Sequence, residues 1–373
     1  MAGDSVTVHQ SPHQNGKGRV KRPTIRDVAA LAGVSHQTVS RVINADVRVR
    51  RATRQQVLDA INSLGFEPNA VARSLASNRT HAIGMVAPDI SDHFFGQAAA
   101  GAEAEARRRG FFLIVGTVED ALAGDEPAYL RLMLQRRVEG LIVARPSIEL
   151  ERSDMLAGVA GQVPVVTIAP HGSQDGVSMV DVDNHLGGIE AVNYLIEQGH
   201  HLIATITGPL TWASAAARLE GYQGAMRDAG IAPSRELIVT GDDWGLPTGQ
   251  VAARRLLDRG SRFTAIFAQS DLLALGAITE LRARGIRVPD DVSVIGYDDI
   301  PVAGYVDPPL TTIQQPMREV GSAAAAIVID GIVQQRAGED RVPVRQLLQA
   351  PLVVRGTVAP PADAVSCALV ARP

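Results

Sequence analysis

The chain reads as two parts of different class: a small all-α unit at the N-terminus, then an α/β body large enough for two parallel-sheet subdomains. Three observations predict this. Residues 24–44 hold two helix-forming runs joined by a tight break. From residue 81 on, short apolar runs alternate with amphipathic helical stretches, the pattern of parallel sheets covered on both faces. The charge is also split. Residues 1–80 carry 12 Lys and Arg against 5 Asp and Glu, a balance of +7, while the 373-residue total is −4, which leaves −11 on the rest. A basic head on an acidic body points to a polyanionic partner for the head alone.

Composition bounds the alternatives. An apolar fraction of 46% with 20% charged residues is ordinary for a globular chain. No apolar run reaches the roughly 18 residues of a membrane span. The opening MAGDSVTVHQSPHQNGKGRVKR lacks the apolar stretch of a secretory signal, so residues 1–22 are expected to be a disordered basic tail. The single cysteine, Cys367, allows neither an internal disulfide nor a cysteine-built metal site, which suits a reducing cytoplasm.

The head begins at Pro23. Thr24 can cap a first helix, with Asp27 returning the bond in a variant of the capping box. Ile25, Val28, Ala29 and Ala32 make its apolar stripe. Gly33 supplies the turn, and Ser35 can cap a second helix in which Val39, Val42 and Ile43 face inward. His36, Gln37 and Arg41 are left outward, the first two at the N-terminal end, where a helix entering a major groove presents its readers. A third run, Thr53 to Leu64, offers Val57, Leu58, Ile61 and Leu64 to close a small bundle. This is a helix-turn-helix. Pro68 then ends a segment, and Asn69 can cap a helix of about two turns, marginal alone in water.

These residues carry a resemblance. TIRDVAALAGVS, QTVSRVIN, Thr53–Arg54 and GFEPNAVARSLAS, from Gly65 to Ser77, resemble the lactose-repressor/galactose-repressor (LacI/GalR) family of bacterial transcriptional regulators. The resemblance runs from about Pro23 to Thr357. It implies that His36, Gln37 and Arg41 read base edges, Gln suiting adenine and Arg guanine. Ser35 and Thr38 would stand beside them at the DNA. Thr24, Asn44 and Arg48 would lie near phosphates, which position without specifying. It also implies a hinge helix carrying Asn69, Ala72, Arg73 and Leu75, with Leu75 an apolar wedge in the minor groove. Arg50 departs from the family's usual serine. Either the third helix starts later, at Thr53 with Gln56 completing a capping box, or Arg50 adds a phosphate contact.

The body's apolar runs are IGMVAPD, FFLIVGT, GLIVAR, VPVVTIA, HLIATITG, AIFAQSD and VSVIGYDD. Roughly 270 residues of such alternation exceed one typical sheet, so a ligand is expected between two subdomains, outside the carboxyl ends of the strands. The resemblance implies a periplasmic-binding-protein-like (type I) body. No P-loop, nucleophile elbow, dinucleotide fingerprint or His-Glu-x-x-His is present, so neither a catalytic residue nor a cofactor or metal is expected. His200 and His201 are adjacent, point to opposite faces of a strand and read as structural.

By the same resemblance, Arg218 and Asp298 form an effector-binding pair, able to bracket the vicinal hydroxyls of a sugar. Phe94 and Phe95 would place an aromatic face at the cleft, with Phe95 the one to stack, and Trp244 would be a second apolar wall. Ser270 stands where many relatives have asparagine, and Ala169 where sugar-binding members often carry aspartate. The effector therefore differs from the best-known galactosides.

The expected organisation is a tail (1–22), the helix-turn-helix domain (23–67), hinge helix and linker (68–80), the effector-binding and dimerisation body (81–357) and a C-terminal tail (358–373) without leucine heptads. The function read from it is a cytoplasmic repressor of carbohydrate-related genes. It would act as a homodimer on a near-palindromic operator and be released by a sugar or sugar derivative, away from any membrane. A co-repressor-activated regulator, or one answering to a non-sugar metabolite, is the alternative. A transporter's solute-binding protein is opposed by the missing signal and by the helix-turn-helix.

Overall fold

Thr24 caps the first helix as its spacing to Asp27 requires: the Thr24 hydroxyl accepts from the Asp27 amide, and the Asp27 carboxylate accepts from the Thr24 amide at 2.7 Å. The computed structural model describes residues 23–43, 46–66, 79–118, 126–144, 155–168 and 176–361. Residues 1–22, Asn44, Asn69, Ala72, Arg73, Leu75, Ala169 and Cys367 lie outside them. The chain separates into two compact units, Met1–Arg79 and Thr80–Pro373.

In the first unit, α1 (Ile25–Leu31) buries Val28 and Ala29 and ends at Gly33, whose φ of +63° suits glycine. α2 (His36–Ile43) is capped by Ser35, whose hydroxyl accepts from the Thr38 amide at 3.2 Å, and buries Val39 and Val42. α3 spans Arg51–Leu64. Two expectations change here. The helix does not wait for Thr53: Arg50 is its N-cap residue and offers no side-chain cap. Leu58 is 41% exposed, while Val57 and Ala60 are buried and Ile61 and Leu64 pack beside them. The i, i+3, i+4, i+7 stripe from Val57 leaves position 58 outside.

In chain order the strands of the second unit are β1 (Ala82–Ala87), β2 (Phe112–Thr117), β3 (Gly140–Ala144), β4 (Val165–Ile168), β5 (Ser178–Val182) and β6 (Ile203–Thr207). Then come β7 (Ile238–Thr240), β8 (Ala265–Ala268), β9 (Ser293–Asp298), β10 (Thr311–Gln314), β11 (Arg345–Leu348) and β12 (Leu352–Val353). The helices are α4 (His93–Arg108), α5 (Glu126–Gln135), α6 (Met155–Ala160) and α7 (Asn184–Glu197). They continue with α8 (Ala213–Asp228), α9 (Leu246–Asp258), α10 (Asp271–Ala283) and α11 (Met317–Ala337).

Two sheets result, ordered β11–β5–β4–β3–β1–β2 and β12–β10–β9–β8–β6–β7. Every pairing is parallel except β12 on β10. β1, β3, β4 and β8 are buried along their whole length, as central strands of covered parallel sheets must be. The sheets are not consecutive in sequence. The chain crosses from the first sheet to the second subdomain at β5–α7, returns at β10–α11, and crosses again between β11 and β12.

The body does not end at residue 357. The Ala359 amide donates to Ser293 Oγ at 3.1 Å, and its carbonyl lies 2.9 Å from His200 Nε2. His200 is buried, with Nδ1 at 2.9 Å from Thr264 Oγ1, in keeping with a structural histidine.

Candidate functional site

On the first unit, α2 presents His36, Gln37 and Arg41 as exposed side chains, and Gln37 and Arg41, four residues apart, share one face. Among the described residues, the others expected at DNA, Thr24, Ser35, Thr38 and Arg48, have internal partners. Thr24 completes its capping box, and the hydroxyls of Ser35 and Thr38 lie 3.0 Å apart. Arg48 is folded onto Asp46, Nε and Nη2 donating to the two carboxylate oxygens at 3.0 and 2.8 Å. That bidentate bond holds the Asp46 carboxyl down at about 2.

On the second unit, the carboxyl ends of β6, β8 and β9 bring Trp244, Ser270 and Asp298, of the predicted effector residues, around Arg218. This arginine lies on α8, a turn and a half from its start, and is almost fully buried. Its Nε donates to Asn184 Oδ1 at 2.8 Å and its Nη1 to the Gln269 carbonyl at 2.5 Å. The guanidinium sits 3.6 Å from the centroid of the Tyr297 ring and 5.4 Å from that of Trp244. Asp298 Oδ1 is 3.9 Å from Nη1. Close backbone packing fixes α8: a Cβ on Gly188 of α7 would come 2.6 Å from the Arg218 carbonyl oxygen.

Asp298, the last residue of β9, has a φ of +126°, a conformation a non-glycine residue holds only where its surroundings force it, and Asp299 after it has a φ of +57°. Asp299 is locked by Arg355 and Gln314, each at 2.6 Å. Asp298 accepts from Gln315 Nε2 at 2.5 Å. Burial pushes its carboxyl above the ordinary aspartate range, Arg218 opposes that shift, and the charge of Asp92, at the start of α4, adds to it. Asp271 is also raised, by burial first and by Asp298 second, although Thr312 and the Ile300 amide donate to it. Two neighbouring carboxyls, Asp271 buried and Asp298 half-buried, with one arginine favour retention of a proton.

The aromatic expectations divide. Phe95 is 4% exposed and belongs to the core, so it is not the stacking ring. At the start of a helix lying on the sheet, the inward position is taken by Phe95, and Phe94 stays half-buried, edge-on to it at 4.9 Å. Trp244 is half-buried. Its ring lies against Gly208, where a Cβ would intrude to 2.6 Å. Ser270 caps α10 by accepting from the Leu273 amide and donates to the Trp244 carbonyl at 3.2 Å, so it supports the tryptophan.

Sequence reading missed four neighbours. Asn184 and Tyr297 hold Arg218, Gln315 holds Asp298, and Trp212 meets Trp244 at 5.7 Å and 68°. Tyr297 immediately precedes Asp298 in the motif, and Trp212 is one of only two tryptophans, so those two carried a signal. The described residues contain five buried side-chain polar atoms with no hydrogen-bond partner. Trp244 Nε1, Tyr297 Oη and Gln315 Oε1 belong to residues touching Arg218 or Asp298. A fourth, Asp181 Oδ1, belongs to a carboxyl pushed up to about 7 by burial against the pull of Arg218.

Residues 24–69 match the family model described as bacterial regulatory proteins, lacI family, and residues 192–358 match that of a periplasmic binding protein-like domain. The chain is 38% identical to the HTH-type transcriptional repressor PurR of Vibrio atlanticus over 310 residues, 83% of this chain and 92% of that one. It is 38% identical to the HTH-type transcriptional regulator CelR of Thermobifida fusca over 347 residues, 90% of this chain and 98% of that one. A solved complex of the regulator CelR with cellobiose aligns with a TM-score of 0.67 at 36% identity, over 90% of this chain and all of that chain. A lac repressor dimer bound to operator and the anti-inducer ONPF aligns with a TM-score of 0.77 at 31% identity, over 91% and 100%.

Proposed function

We propose that this chain, which belongs to the lacI family of bacterial regulatory proteins, is a transcriptional regulator whose hold on operator DNA is released by a small, neutral, sugar-like effector. The observation that carries the effector reading is the set of unpartnered buried polar atoms around Arg218 and Asp298. A buried polar group without a partner costs free energy, so these groups are best accounted for by a ligand that supplies donors and acceptors. One arginine among several carboxyls disfavours an anionic ligand and suits hydroxyls. The indole of Trp244 offers an apolar face to a sugar ring.

In this reading His36, Gln37 and Arg41 meet base edges, and residues 68–80 provide the hinge. Exposed apolar side chains on α9, α10 and the turn that follows β9 (Leu246, Leu272, Val302 and Tyr305) support pairing with a second copy. No helix among the described residues is long and apolar enough to cross a membrane. The chain would work at the nucleoid. A flat heteroaromatic metabolite is the second reading, favoured by the corner that Trp212 and Trp244 form.

The test selects bound duplexes from a random pool, then titrates them against cellobiose, ribose, glucose 6-phosphate and adenine. The expected outcome is a near-palindromic site, weakened by a neutral sugar and not by its phosphate. Trp212 and Trp244 are the chain's two tryptophans and Trp244 lies against Arg218, so their fluorescence would report a ligand bound beside that arginine. A response to adenine alone would favour the second reading.

A further inference from the structure

The two charged residues of the cleft are each held by a side-chain amide, and both amides lie where the chain crosses between subdomains. Asn184 is the first residue of α7, one step past the β5 crossover. Its Nδ2 donates to the carbonyl of Val182, the last residue of β5, at 3.1 Å, and its Oδ1 accepts from Arg218. It therefore joins the first sheet to the arginine of the second subdomain. Asp183 beside it is bonded to both sides: its amide donates to Leu348 of β11 at 2.9 Å, and its carboxylate caps α7 through the Leu186 amide at 2.9 Å. Gln315 lies at the return crossover, between β10 and α11. Its Nε2 donates to the Asp298 carboxylate and its backbone amide to the Asp298 carbonyl, at 2.5 and 3.3 Å.

We propose that Asn184 and Gln315 are positioning residues that tie Arg218 and Asp298 to the two crossovers, so that engagement of the pair by effector is transmitted to the angle between the subdomains. The proposal rests on the effector reading of that pair. It follows from the sharing of atoms. Arg218 cannot turn toward a ligand without straining or releasing Asn184 Oδ1, and Asn184 cannot move without altering the bond to Val182. An effector shifts a conformational equilibrium only through unequal affinity for its states, and these two ties give a contact at the ligand a different energy in each arrangement. Gln315 Oε1, buried and unpartnered, leaves one face of that amide open to the same ligand.

Two arms test it on the full chain. In the first, cellobiose is the probe. Its affinity is read from tryptophan fluorescence, and the change in operator affinity it causes is read separately. Asn184→Ala should bind cellobiose within about tenfold of the unmodified chain, yet lose most of the several-fold or larger operator response that such coupling usually gives. A purely structural amide would weaken binding and leave the response at saturation unchanged. That result overturns the proposal.

The second arm needs no ligand and leaves the amides in place. Amide hydrogen exchange is followed in Arg218→Met and in Asp298→Gly, the glycine accepting the positive φ. Arg218→Met should speed exchange at Asp183 and Leu186, and Asp298→Gly at Gln315 and Met317, each variant acting on its own crossover. Unchanged exchange at both crossovers would refute the ties. If cellobiose fails to bind the unmodified chain, the choice of that sugar is wrong, while the exchange result still decides the ties.

Discussion

As the proposed acceptor of effector hydroxyls beside Arg218, Asp298 has to be ionised, and burial makes that ionisation harder than for an exposed aspartate. The sign follows. A carboxyl with a raised pKa is charged only above that value, so effector affinity should be full in mild alkali and fall as pH drops, starting well before the ordinary aspartate value of 3.8. Asp298→Asn keeps the shape and removes the charge. It should still bind operator, lose roughly tenfold to a hundredfold in effector affinity, as expected for a charge-assisted hydrogen bond, and show a flattened pH dependence. Fluorescence titrations between pH 5 and 8 would measure both. A variant that responds at the unmodified chain's ligand concentration would move the effector site elsewhere.

At the scale of elements, His200 shows how the second subdomain is closed. Its ring joins Thr264 before β8, Ser293 at the start of β9 and the Ala359 carbonyl, fastening the last described stretch beneath the sheet. Burial lowers its pKa from 6.5, so the folded chain prefers the neutral ring and the unfolded chain binds the proton more readily. This contribution is intact above about pH 6.5 and is lost as pH falls below it. His200→Gln should be less stable at pH 8, and its melting temperature should fall less than that of the unmodified chain between pH 8 and 5.5. Parallel curves would mean that His200 does not carry the acid sensitivity.

Elements of this kind differ in how readable they were. The seven strands announced by apolar runs, the capping box at Thr24 and the Gly33 turn follow from local chemistry. β5, β7, β10, β11 and β12 are short or carry polar residues such as Asp181 and Arg345, and they were not anticipated. The interleaved crossovers, and with them Asn184 and Gln315 as partners of Arg218 and Asp298, depend on which distant strands pair. No local pattern encodes that. Phe95 misled because adjacent aromatics at a helix start differ only in the direction they face.

For the whole molecule, the charge partition predicts where DNA affinity resides. The body and tail carry −11 and repel a polyanion, so the head's +7 must supply the sequence-independent attraction. Within the head, Arg48 is engaged with Asp46, and Arg54 donates to the Asp46 carbonyl at 2.6 Å. Arg50 and Arg51 are exposed at the positive end of α3, with no ion pair among the described residues. Two cations there oppose the helix dipole, an arrangement that becomes favourable once a phosphate sits against them. Each phosphate neutralised contributes about −0.9 to the slope of log K against log salt. Arg50→Gln with Arg51→Gln should therefore flatten that slope by about two units, on operator and random duplex alike. Thermal stability without DNA should hold or rise slightly, because the like charges at the helix start are gone. Arg41→Ala should behave differently, losing about 1–3 kcal/mol on operator and little on random DNA, as a base-reading arginine does. If the double variant kept the full slope on both duplexes, the phosphate path would have to run over another face of the head.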